Sequence, residues 1–167
     1  MYSVGDKVVH PGYGPGVITG VEHRQVIGEA KDYYVIDMLS GGTTLMTPVA
    51  QADRVGLRLA INDAAVRRIF QILAEAPRAL SDDFRERQAN VEELLKSGDI
   101  FVTAEVVRDM TWSGQVRGLT KRDSQFLQRA EELIASELAL IRGRDVKEET
   151  DDLRAFLRDA MSQGEEV

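Results

Sequence analysis

The chain has 167 residues and a formal net charge of −7, from 21 basic and 28 acidic side chains. Hydrophobic residues make up 43% and charged residues 29%, a balance typical of a folded globular protein, which excludes wholesale disorder. The absence of cysteine excludes disulfides, thiolate metal sites and a cysteine nucleophile. No apolar run reaches the ~20 residues of a membrane helix, and the first residues lack a signal-peptide pattern, so we expect a cytoplasmic protein without membrane contact.

Composition divides the chain near residue 60. Residues 1–60 contain nine of the fourteen glycines, three of the four prolines and all four tyrosines. Residues 61–167 contain 16 basic and 22 acidic side chains, a net charge of −6, and a single proline. Glycine and proline separate short strands, whereas their scarcity permits long helices. The sequence therefore predicts a two-domain α+β protein, with a β domain at residues 1–58 and a helical domain at residues 61–163.

The first domain is expected to be a small half-open β-barrel of the Tudor or SH3 type, because four or five short strands in ~55 residues are too few for a sandwich. The predicted strands cover residues 7–10, 16–26, 32–39 and 43–47, with a glycine turn at residues 40–42. Strict alternation along the second strand predicts two faces, one with Val17, Thr19, Val21 and His23 and the other with Ile18, Gly20, Glu22 and Arg24.

The second domain is expected to be an all-helical bundle of about five helices, from apolar residues at helical spacing and from capping signals. The boundary signals are an N-cap at Asn62, a stop at Pro77, a start at Ser81, a frayed end near Gly114, a capping box between Thr120 and Asp123, and a stop at Gly143. The last helix carries Leu153, Phe156, Leu157 and Ala160 on its buried face. Since no long heptad run provides a coiled-coil seam, we expect a monomer.

Catalytic patterns are missing from the sequence. It contains two histidines, His10 and His23, and no nucleophile elbow, Walker loop, zinc-protease helix or calcium loop. The glycine-rich turn at residues 11–16 precedes a strand, whereas a phosphate cradle needs a helix N-terminus. We therefore expect neither an enzyme nor a protein that holds a metal or cofactor.

Basic residues form two groups in the helical domain, and the negative net charge requires any nucleic-acid contact to be local. One group contains Arg78, Arg85 and Arg87, and the other contains Arg117, Lys121, Arg122 and Arg129. Both groups are compatible with a solvated helix face rich in ion pairs or with a nucleic-acid surface. Phe84 and Trp112 are the aromatic candidates for contact with bases; Trp112 is interpreted as a packing residue, whereas Phe84 lies beside Arg85.

Several segments resemble one known family. Residues 4–11 read Val-Gly-Asp-Lys-Val-Val-His-Pro and are followed by Gly14-x-Gly16, and further matching segments lie at residues 55–58, 104–109, 117–119 and 137–140. These motifs, in this order along nearly the whole chain, resemble the CarD/CdnL family of bacterial transcription regulators. The first domain also resembles the RNA polymerase-interacting domain of transcription–repair coupling factors.

The resemblance implies a function in transcription. Members of this family dock on the β subunit of bacterial RNA polymerase through the Tudor-like domain, and their helical domain contacts promoter DNA in the minor groove at the upstream edge of the melted region. This contact stabilises the open complex. Arg24 and Val26 match residues that contact polymerase in the family, and Met46 lies where members have arginine or methionine.

The same resemblance implies DNA contacts in the second predicted helix. The family has a tryptophan at the position of Asp83, next to Phe84, and basic residues follow it. The candidate DNA contacts are therefore Phe84, Arg85, Arg87 and Gln88, of which Gln88 replaces a family lysine. The missing tryptophan and the negative charge of the helical domain leave a second hypothesis open, a polymerase-binding adaptor with little or no DNA affinity.

Overall fold

The computed structural model describes residues 1–164 as five strands, with a short 3-10 helix (Val49–Gln51) before the last strand, followed by five α-helices. The strands are β1 (Lys7–His10), β2 (Gly14–Val26), β3 (Glu29–Met38), β4 (Thr44–Pro48) and β5 (Arg58–Leu59). The helices are α1 (Asp63–Ala74), α2 (Phe84–Lys96), α3 (Ile100–Arg117), α4 (Lys121–Arg142) and α5 (Val146–Gly164). This order confirms the predicted fold class, a small β module followed by a helical module.

The chain forms two compact units. One contains Met1–Ile61 together with Ala139–Gly143, and the other contains Asn62–Leu138 and the chain from Arg144 onward. The finer domain limits, residues 1–58 and 61–163, stay predictions. Within the described residues, no helix is long and apolar enough to cross a membrane.

The β module is a five-stranded antiparallel sheet in the order β4-β3-β2-β1-β5. One face of the sheet covers the core, a cluster of buried residues that comprises Val8, Ile18, Tyr34, Ile36, Met38, Ala52 and Leu57. The buried Tyr34 ring keeps its hydroxyl satisfied, because the oxygen accepts a hydrogen bond from the backbone N–H of Tyr2 at 3.0 Å.

A β-bulge at Thr19 corrects the predicted faces of β2. Ile18 pairs with Ile36 and Gly20 pairs with Val35, so Thr19 is an extra residue in the ladder. Beyond this point Val21 shares the core face with Ile18. The prediction that Ile18 and Arg24 lie on one face is therefore wrong, because strict alternation does not allow for an inserted residue.

Two helix starts follow the predicted capping chemistry. The Asn62 side-chain oxygen accepts a hydrogen bond from the N–H of Ala65 at 2.9 Å. At the start of α4 the Thr120 hydroxyl accepts from the N–H of Asp123 at 3.1 Å, and the Asp123 carboxylate accepts from the N–H of Thr120 at 3.2 Å. Each cap satisfies backbone donors that have no partner inside the helix.

Two other boundaries differ from the prediction. Helix α2 is capped by Asp83, whose carboxylate accepts from the N–H of Arg85 at 2.9 Å, and Ser81 lies outside the helix. Helix α3 continues through Gly114 to Arg117 instead of fraying. Leu119 packs against the bare Gly114 backbone, and a Cβ there would lie 3.2 Å from its Cγ, so this glycine makes room for a close packing contact.

Candidate functional site

The sheet face opposite the core forms the first candidate interface. The register pairs Arg24 with Lys31, Gly20 with Val35, and Val35 with Met46. Paired residues share a face, and alternation beyond the bulge puts Gly20 and Arg24 on the same side of β2. Arg24 and Met46 therefore lie on one face, called here the outer face. The side chain of Val26, the third predicted contact, lies outside the part that the structure describes.

Apolar side chains at the centre of the outer face are only half-buried. They are Tyr33, Val35, Met46 and Pro48. At the rim, the exposed Arg24 guanidinium donates from Nε to the Glu22 carboxylate at 3.0 Å. An apolar centre with a charged rim is the composition of a protein-binding surface. Strand β4 also lies at one edge of the sheet, where its outer backbone groups could pair with a further strand.

The start of α2 forms the second candidate interface. Phe84 is the first residue of the helix and is 53% exposed. The Arg85 guanidinium carbon lies 5.7 Å from the centre of the Phe84 ring, within cation–π range. The two predicted residues are thus brought together as one exposed aromatic and cationic pair.

Arg87, by contrast, faces inward. Its Nη2 donates to the Asp123 carboxylate at 2.8 Å and its Nε to the other carboxylate oxygen at 3.2 Å. Its Nη1 donates to the carbonyl oxygen of Ser81 at 3.0 Å. The side chain of Arg87 is 10% exposed and that of Asp123 is 2% exposed, so this ion pair is a buried contact that holds α2 to α4. The prediction that Arg87 holds a DNA phosphate does not fit this position.

Gln88 belongs to the same network. Its side-chain amide donates to the Thr120 hydroxyl at 3.2 Å and to Asp123 at 3.4 Å. Burial raises the pKa of Asp123, but hydrogen bonds from Arg87 and Thr120 outweigh this effect and lower the pKa to about 2. Asp123 is therefore a charged, buried acceptor that receives hydrogen bonds from three residues, Arg87, Gln88 and Thr120.

Two more arginines from the predicted basic groups hold the segment that precedes α2. Arg117 donates from Nη2 to the carbonyl oxygen of Leu80 at 2.8 Å and also pairs with the Asp82 carboxylate. The backbone N–H of Arg78 donates to Asp109 at 2.9 Å, and its guanidinium donates to Glu105 at 2.8 Å. Together with Arg87, these contacts fix the approach to Phe84 at several points.

The remaining basic side chains of these groups are exposed. They are Arg85, Lys121, Arg122 and Arg129. The guanidinium carbon of Arg122 lies 5.1 Å from the centre of the Phe126 ring. Within residues 1–164 none of the four side chains forms an ion pair. Gln88 and Arg87 tie the first turns of α2 to the start of α4, which carries Lys121 and Arg122. The structure therefore leaves Arg85, Lys121 and Arg122 exposed at these two helix starts and Arg129 exposed about two turns further along α4.

Trp112 has a different environment from Phe84. It is half-buried on α3 and lines a cavity of about 470 Å³ with Leu73, Pro77 and Met161, and its role as a packing residue stays a prediction. In the part of the chain that the structure describes, no three histidine or acidic side chains cluster as a metal site would require.

The sequence pattern does not indicate a binding role for Tyr33, Val35 and Pro48 of the outer face, nor does it indicate the pairing of Arg87 with Asp123. Alternation read from Met46 outward could have found the first group once β3 and β4 were paired. The Arg87–Asp123 contact joins residues 36 positions apart, and no local pattern in the sequence signals it.

Comparison with known proteins identifies both modules. The CarD-like/TRCF RID domain matches residues 2–61, and the CarD C-terminal domain matches residues 68–154. The Bacillus subtilis (strain 168) protein named "Putative transcription factor YdeB" is 30% identical over 145 residues, which cover 86% of this chain and 94% of that protein.

A solved structure is also similar to the first module. The solution NMR structure of the 72-residue N-terminal domain of Myxococcus xanthus CarD matches 35% of this chain and 79% of that chain, with 24% identity and a TM-score of 0.31. The two domain matches and the Bacillus relative agree with the resemblance seen in the sequence motifs. The chain therefore belongs to the CarD family of transcription regulators.

Proposed function

We propose that this protein binds the β subunit of RNA polymerase through the outer face of its β module and stabilises the promoter open complex through the start of α2. DNA contact is at the upstream edge of the melted region. The protein acts by binding alone, as a monomer and in the cytoplasm, where its partner works.

The polymerase contact is supported by the CarD-like/TRCF RID domain match and by the chemistry of the outer face. Met46 and its half-buried neighbours supply apolar area, and Arg24 at the rim supplies a charge that can select the partner's orientation. Because Arg24 and Glu22 are both exposed, breaking their solvated pair to form one with polymerase costs little free energy.

The observation that carries the DNA contact is the exposed Phe84–Arg85 pair at a rigidly held helix start. An apolar ring can be inserted at a distorted base step in the minor groove, while a cation beside it neutralises phosphate. The segment before Phe84 is fixed by Arg78, Arg87 and Arg117, so little conformational entropy is lost when the ring binds.

Net charge −7 opposes binding of the isolated protein to duplex DNA. Docking on polymerase makes the DNA contact intramolecular, at an effective concentration on the order of millimolar, so a small patch can suffice.

We expect Phe84→Ala to shorten the lifetime of the open complex while polymerase binding and folding stay unchanged. The measurement is promoter-complex decay after challenge with a competitor, with polymerase binding followed separately. Leu94→Ala is the matched control, because Leu94 is 44% exposed on the same helix but lies far from its start. Equal lifetimes for wild type and Phe84→Ala would contradict the DNA contact.

A second candidate function is a polymerase-binding adaptor with little DNA affinity. The internal engagement of Arg78, Arg87 and Arg117 favours it, because three of the basic residues available for phosphate are used within the helical module. Unchanged open-complex lifetimes for Phe84→Ala, with strong polymerase binding by the wild type, would select this function.

A further inference from the structure

The turn between β2 and β3 has an unusual residue at its tip. Val26 pairs with Glu29, so the loop consists of Ile27 and Gly28 alone. Both have positive φ, 46° and 85°, the pattern of a type I′ hairpin turn. This turn matches the twist of the two strands and is normally built from Asn-Gly or Gly-Gly.

Isoleucine is poorly suited to that position. Its branched Cβ crowds the backbone in the left-handed region, where asparagine and glycine are tolerated. Within residues 1–164, Ile27 is the one non-glycine residue with positive φ. Its side chain is 98% exposed, so no packing contact inside the chain offsets the strain.

Neither folding stability nor solubility therefore accounts for this side chain. An apolar group in water and a strained backbone are both unfavourable in the isolated chain, and binding to a partner would offset them. A partner could also reach the tip, because residues 21–25 and 27–32, which form the ends of β2 and β3 and the turn between them, are exposed. We call this exposed hairpin end the arm.

We infer that Ile27 is a further contact to the polymerase β subunit and inserts into an apolar recess beside the site that Arg24 engages. This inference rests on the proposed function. Ile27 lies three residues from Arg24 on the same arm, so a partner that covers Arg24 extends naturally to the tip. The nearest cations on the arm, Arg24 and Lys31, each have an acidic neighbour, Glu22 and Glu29, so an uncharged recess complements the tip.

The test is a set of full-length variants measured for stability and for binding to the β subunit. Ile27→Asn relieves the strain and removes the apolar group. We expect it to raise the melting temperature by about 2–4 °C and to weaken binding by about tenfold or more. Ile27→Leu keeps an apolar side chain and should keep most of the affinity. The four tyrosines, which all lie in residues 1–60, report the unfolding of this module.

Val4→Asn is the matched control. Val4 is β-branched and 65% exposed in the same module, and its neighbour Gly5 donates to the carbonyl oxygen of Ile18, nine residues before the tip along β2. This spacing separates the two sites by roughly 25–30 Å. We expect Val4→Asn to bind the β subunit as the wild type does.

Each other outcome has a distinct meaning. Wild-type affinity in Ile27→Asn would overturn the inference and leave the proposed function standing. Loss of self-association in Ile27→Asn, seen by light scattering with unchanged polymerase affinity, would assign the tip to a second copy of the chain and also overturn it. Failure of the wild type itself to bind the β subunit would overturn the proposed function, and the inference with it.

Discussion

Arginines in the two modules do different work. In the β module, Arg24 lies exposed on the outer face and pairs with its solvated neighbour Glu22. In the helical module, the buried Arg87 joins Asp123 to the carbonyl oxygen of Ser81, and Arg117 holds the carbonyl oxygen of Leu80. Arg24 is thus left exposed at the surface of its module, whereas Arg87 and Arg117 fix the backbone of theirs.

This difference shows that a cluster of basic residues in a sequence does not measure a binding surface. A guanidinium has five N–H donors, and carbonyl oxygens of an irregular segment need donors as much as phosphates do. Three arginines of the apparent basic patch, Arg78, Arg87 and Arg117, hold the segment before α2 and are already engaged within the module. As a result, Phe84 and Arg85 lie at a helix start that is fixed in position.

The largest expected loss of stability comes from breaking the buried Arg87–Asp123 ion pair. Asp123→Ala leaves the buried Arg87 guanidinium without its carboxylate, and we expect a loss of about 3–5 kcal/mol in the free energy of unfolding. Urea unfolding followed by the fluorescence of Trp112, the single tryptophan, measures it within the same module. Arg85→Ala is the control and should change stability by less than about 0.5 kcal/mol. Equal losses in the free energy of unfolding for the two variants would contradict the distinction between arginines that stabilise the module and arginines that are merely exposed.

Acid should weaken the same Arg87–Asp123 ion pair, with a smaller loss of stability. The pKa of Asp123 is about 2 in the folded chain against an ordinary 3.8, so its charge stabilises the fold fully above pH ~4 and this contribution is lost as the pH falls towards 2. We expect a contribution of about 2 kcal/mol. The stability difference between wild type and Asp123→Asn, measured from pH 6 to pH 2, should narrow with acid. A difference that stays constant across this range would count against a charged Asp123.

The smallest effect on stability is expected at Arg24. Arg24→Glu removes one solvated pair, worth about 0–1 kcal/mol, so the melting temperature should stay close to that of the wild type. Binding to the β subunit should nevertheless be lost, because a carboxylate now faces the site of a cation. A pull-down with full-length protein measures this. Retained binding would exclude the outer face as the polymerase site. The contrast between a partner-binding Arg24 and a structural Arg87 would then no longer hold.

Local signals predicted the fold well and the site only in part. The caps at Asn62 and Thr120 were predictable because each is completed within three residues. The exposure of Phe84 and the burial of Arg87 were not predictable, because the two residues are only three positions apart on the same helix. The direction is set by Asp123, a partner that folding brings from α4.

The extra residue Thr19 makes the direction of Arg24 depend on where β2 changes in length. Ile18 and Gly20 lie on opposite faces around Thr19, and side chains alternate strictly from Gly20 to the tip of β2. Deletion of Thr19 would leave Arg24 on the outer face, because Ile18 and Gly20 would then be adjacent and would still take opposite faces. Deletion of one residue between Gly20 and Arg24 would instead turn Arg24 towards the core face. Among relatives, a one-residue gap at Thr19 would therefore keep the direction of Arg24, whereas a gap between Gly20 and Arg24 would reverse it.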